Sequence, residues 1–128
     1  MLESILAAGM IPNLQTTIFT YGDTIYNPGD NELPDHLIEH EDTHSKQQGD
    51  DPDAWWLRYV NDPYFRLQQE IEAYVNQYKF ICKQVTDRNK RFLILNDIAK
   101  VISGPIYGNM VTQLGAIQMI KQKSGIHS

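Results

Sequence analysis

Apolar positions recur along this chain with two different spacings. Thr16-Thr17-Ile18-Phe19-Thr20-Tyr21 is dense in β-branched and aromatic residues and predicts a strand. Gly22-Asp23 is a turn signal, Thr24-Ile25-Tyr26 predicts the returning strand, and Asn27-Pro28-Gly29-Asp30 closes the hairpin with breakers. Beyond Pro34 the spacing lengthens to that of helices. A first helix runs from Pro34 to about Gln48 and stops at Gly49. Asp50-Asp51-Pro52-Asp53 starts a short aromatic helix, Ala54 to Val60, and Asn61-Asp62-Pro63 starts a long one, Pro63 to Gln84. The long helix carries the stripe Leu67, Ile71, Tyr74 or Val75, Tyr78, Cys82 and Val85. Thr86 or Asp87 caps the next helix, Arg88 to about Ser103, with Phe92, Leu95, Ile98, Ala99 and Ile102 as its inner face. After Gly104-Pro105 and a turn at Ile106–Asn109, Thr112 opens a last helix with Leu114, Ile117 and Ile120 on one side. Residues 2–9 are expected to form a short helical turn or to pack loosely, and the tail from Lys123 predicts fraying, which makes His127 a poor ligand candidate.

The first of these helices breaks the pattern. Its only large apolar residues are Leu33, Leu37 and Ile38, fewer than an amphipathic helix of that length carries. Its centre reads His40-Glu41-Asp42-Thr43-His44, the pattern H-E-x-x-H. Residues i and i+4 of a helix share a face, so His40 and His44 can bind one zinc ion, with Glu41 as general base. His36 extends the ladder, but it lies about 12 Å along the axis from His44, too far for one ion to take both. It is expected at the rim of the site or as a surface histidine.

A catalytic zinc takes three protein ligands and keeps a position for water. The third is expected from the long helix, which offers Glu70 and Glu72. At about 100° per residue, Glu70 lies roughly 80° from the middle of the apolar stripe and Glu72 roughly 120° away on the other flank. Glu70 is nearer the buried side, Glu72 is the alternative, and an ordinary surface carboxylate is the bland reading of each.

Composition narrows the function classes. The 128 residues fit one domain, and a net charge of −5 argues against nucleic acid as partner. Arg88-Asn89-Lys90-Arg91 is short and interrupted, and reads as a solvated helical turn. No apolar run approaches the ~20 residues of a membrane span, and the N-terminal stretch lacks the basic region of a secretory signal. The single Cys82 permits no intramolecular disulfide and fits a reducing cytoplasm. Trp55 and Trp56 are expected in the core, with a substrate wall as the alternative. Oligomeric state is not legible.

His40-Glu41-x-x-His44 followed by Glu70-x-x-Ala73 resembles the zincin metallopeptidases with a glutamate third ligand, the gluzincins, and is most similar to minimal zincin-like proteins of bacteria and phages. The resemblance spans about residues 15–85, with 86–122 as a C-terminal helical pair. It implies a mostly helical α+β domain with a short antiparallel hairpin packed on the active-site helix, and zinc-dependent hydrolysis of a peptide or protein substrate. It also implies an edge strand, from Thr16–Tyr21 or Thr24–Tyr26, that takes the substrate by β-addition. An oxyanion donor is implied too, with Tyr74, Tyr78 and Tyr107 as candidates. Where such proteins place an aspartate, this chain has Tyr74, so Asp42 or a backbone carbonyl is expected to orient a ligand histidine. The rival expectation is a zincin-like metal-binding or structural protein of a phage or mobile element, without proteolytic activity.

Overall fold

Polar caps start the helices. The side chains of Asp51, Asp62, Asp87 and Thr112 each accept the backbone N–H three residues on, at 3.0–3.1 Å, an arrangement worth about 1 kcal/mol per helix. The computed structural model describes residues 17–126. The expected turn over residues 2–9, Thr16 of the expected strand, and His127 lie outside them. Strands β1 (Phe19–Tyr21) and β2 (Thr24–Tyr26) form an antiparallel hairpin, pairing Phe19 with Tyr26 and Tyr21 with Thr24 around a turn in which Gly22 has φ 65°. Helices α1 (Asp35–Gln48), α2 (Pro52–Asn61), α3 (Pro63–Gln84), α4 (Arg88–Ile102) and α5 (Gln113–Ser124) follow, with a 3-10 turn at Pro105–Tyr107. This is a mostly helical α+β fold. Among the described residues, no helix is long and apolar enough to cross a membrane.

Two apolar clusters hold the fold. The larger joins α3 (Leu67, Ile71, Val75, Tyr78, Cys82) to Leu95, Ile98, Ala99 and Ile102 of α4 and Ala116 and Ile120 of α5. The smaller joins Phe19 of β1 to Trp55, Trp56 and Tyr59 of α2. Two expected core residues are exposed instead. Phe92 sits at the start of the second turn of α4, about 60° round from Leu95, and is 49% exposed. Leu114 is 64% exposed, because α5 buries the line Ala116–Ile120 and Leu114 lies about 160° from Ala116.

Helix α1 lies between the hairpin and α3, and every residue it buries is polar: His40, Glu41, Thr43, His44 and Gln48. Buried polar groups need partners. Gln48 ties α1 to the hairpin, donating to the Thr20 carbonyl at 2.8 Å and accepting from Gly22 N–H at 2.6 Å. Trp56 Nε1 donates to the same Thr20 carbonyl at 3.1 Å. Thr43 donates to the Glu39 carbonyl and accepts from Asn76 of α3. Arg66, also buried, donates from all three guanidinium nitrogens, to the carbonyls of Tyr59, Ile106 and Val60, at 2.7–2.8 Å. It thereby fastens the C-terminal end of α2 and the 3-10 turn to α3.

Candidate metal centre

Three buried ligand groups meet where α1 crosses α3. Glu70 Oε1 stands 3.1 Å from His40 Nε2 and 2.9 Å from His44 Nε2. The donor atoms of His40, His44 and Glu70 all lie within 4.8 Å of one another, and the three could hold a metal ion. A zinc ion bonding N and O at about 2.0–2.2 Å in tetrahedral array separates neighbouring donors by roughly 3.3 Å. The spacing therefore fits, and two imidazoles with one carboxylate are a donor set that zinc accepts.

Each ligand is held from behind. Tyr59 donates to Glu70 Oε2 at 2.5 Å, which leaves Oε1 for the shared centre. His40 Nδ1 lies 2.9 Å from Gln77 Oε1, and His44 Nδ1 lies 2.8 Å from Gln47 Oε1. The position expected of Asp42 is thus filled by two glutamines. Asp42 is exposed and pairs with Lys46 at 2.9 Å. Glu72 is exposed as well and accepts from Gln47 Nε2 at 3.0 Å, so it supports the helper of His44 from outside the ligand cluster. His36 reaches Gln77 Nε2 at 2.9 Å. No protein-family model, curated protein or solved structure matches the chain. What the centre does must come from its own atoms.

The centre opens on a cavity of about 350 Å³ lined by Phe19, Leu37, Trp55, Trp56, Ile106 and Tyr107 besides the polar cluster. Trp55 and Trp56 are thus core and wall together. Glu41 also lines it, with Thr20 Oγ1 donating to its Oε1 at 3.2 Å. Burial lifts the Glu41 carboxyl above the usual range, against the pull of His44 and His40. Tyr74 packs edge-on against His40, ring centres 4.4 Å apart. Tyr107 stands close enough to Tyr59 and Tyr74 for the three hydroxyls to influence one another's titration. Burial, reinforced by the Glu70 charge, pushes all three hydroxyls well above the usual phenol range, so they stay neutral donors. Tyr78, the third oxyanion candidate, is fully buried in the larger apolar cluster and does not line the cavity.

Burial alone would lower the pKa of His44, but the Glu70 carboxylate beside it wins and raises it from 6.5 to about 9. Glu70 is correspondingly held far below the usual carboxylate range, its own burial outweighed by His44 and His40. The two shifts describe one interaction and count once. A raised histidine pKa stabilises the fold fully below pH 6.5, and that stability is lost as pH rises through 9. Protein stripped of metal is therefore expected to lose stability on the order of 3 kcal/mol between pH 6.5 and pH 9.5, measured by urea unfolding. A flat profile would show that His44 carries no proton on folding.

Proposed function

We propose that this chain is a zinc-dependent metallopeptidase, as its resemblance to the gluzincins implies. The observation that carries the reading is the convergence of Glu70, from α3, on the Nε2 atoms of both histidines of the H-E-x-x-H pattern. When bound by His40, His44 and Glu70, zinc supplies a Lewis acid that brings the pKa of water toward 7 and polarises a carbonyl. Glu41 moves the protons, taking one from the attacking water and handing it to the leaving amine nitrogen. The Thr20 hydroxyl, donating to Oε1, fixes the carboxylate's direction for that exchange. Tyr107 and Tyr74 line the cavity with neutral hydroxyls, and the one whose proton turns toward the substrate would donate to negative charge developing on the carbonyl oxygen. The aromatic wall keeps water out and accepts an apolar side chain of the substrate.

Peptide addition to β1 meets a restriction. The Thr20 carbonyl already accepts from Gln48 and Trp56, so β1 does not have it free for an incoming strand. That same observation favours the second reading, a metal-binding module without proteolysis. One experiment separates the two. Purified protein is expected to hold about one zinc per chain by elemental analysis and to hydrolyse an unfolded protein such as casein. Chelation should stop the reaction, and added zinc should restore it. Zinc bound without hydrolysis supports the second reading, and no stoichiometric metal overturns both.

A further inference from the structure

We propose that Gln77 is a positioning residue for His40 and that His36 sets the direction of the Gln77 amide. The inference rests on the metal reading above. An imidazole can ligate through Nε2 only as the tautomer whose proton sits on Nδ1, and a hydrogen bond to that proton is what fixes the tautomer. At 2.9 Å from His40 Nδ1, Gln77 Oε1 is the acceptor for it. An amide, however, fits the same space turned end for end. Turned, Gln77 would present N–H to His40 Nδ1 and favour the tautomer whose Nε2 is blocked by a proton.

His36 breaks the tie when its own proton sits on Nε2. Its Nδ1 lies 2.9 Å from Gln77 Nε2 and can accept from it only if the amide points its oxygen at His40. Gln77 is 8% exposed, so water cannot easily satisfy a turned amide. The chain of donors then runs in one sense: His40 Nδ1–H to Gln77 Oε1, and Gln77 Nε2–H to His36 Nδ1. It also accounts for a third histidine one turn before the motif. His36 and His40 are four residues apart on α1, so a single side chain from α3 bridges both. A neutral amide does this without adding a charge beside the metal, whereas a carboxylate would also strengthen the imidazole as a donor.

Zinc affinity of the full chain, measured by competition with a chromophoric chelator at fixed pH, tests the proposal. Gln77→Leu is expected to bind zinc about 10–100-fold more weakly, and Gln77→Glu, which keeps an acceptor for Nδ1–H, to bind at least as tightly as wild type. His36→Leu should weaken binding, and His36→Asp, whose carboxylate can only accept from the Gln77 amide, should restore it. Long-range proton–nitrogen spectra of the zinc-loaded protein should show His40 protonated at Nδ1 and His36 at Nε2. Equal losses in Gln77→Leu and Gln77→Glu would reduce Gln77 to packing and overturn the proposal, as would His36 protonated at Nδ1. If Gln77→Leu does not fold, the His36 pair and the spectra still decide. Wild type that binds zinc beside an unaffected Gln77→Leu overturns this inference alone. Wild type that takes up no zinc overturns the metal reading and this inference with it.

Discussion

Glu41→Gln is expected to keep its zinc and to lose about 10²–10⁴-fold in the rate of peptide hydrolysis, the usual contribution of a positioned general base. The substitution changes little else. The side chain keeps its volume in a buried site, and its oxygen can still accept from the Thr20 hydroxyl. Glu41 is not one of the three converging ligands, so the metal should stay. What disappears is a carboxylate able to take a proton and return it. Steady-state rates on a quenched peptide, with zinc measured in the same samples, make the comparison. Full turnover in a zinc-loaded Glu41→Gln would remove Glu41 from the mechanism and leave the metal centre standing.

Helix starts were legible because their signals are local. Asp51, Asp62, Asp87 and Thr112 each stand just before a helix, where a short polar side chain can reach a free N–H. Turn chemistry at Gly22 and Gly49 was legible for the same reason. Phe92 and Leu114 were misread because periodicity gives a helix's apolar arc and not how far its neighbours extend along it. In the site, the two histidines follow from helical spacing, and the polar centre of α1 marked it as a face with work beyond packing. Gln77 carried a signal that went unused. It follows Glu70 by seven residues, two turns on, and so shares its face of α3. Gln47, three residues after His44, was open to the same argument. Tyr59 and Arg66 were not. Their roles depend on how α2 packs across α3 and the 3-10 turn, and no local pattern encodes that crossing.

Glu70→Gln is expected to weaken zinc binding by more than about 100-fold, since losing a ligand must exceed the 10–100-fold cost of losing a ligand's helper. Glutamine keeps the shape and can still accept from Tyr59, so the fold should survive. The charge that drew both imidazoles together is gone. In metal-free protein the consequence is separate and readable. Glu70 is the chief group raising His44 against burial, so without it the pKa should fall back from about 9. The stability lost between pH 6.5 and 9.5 in wild type should then shrink, because a proton no longer held on folding contributes nothing as it leaves. Glu72→Gln is the control from the same helix. Its carboxylate only accepts from Gln47 at the surface, so zinc affinity should change by less than about 10-fold. Competition titrations and urea unfolding at the two pH values measure both effects. Glu70→Gln that binds zinc like wild type, while Glu72→Gln does not, would move the third ligand two residues along α3 and undo the geometry proposed for the centre.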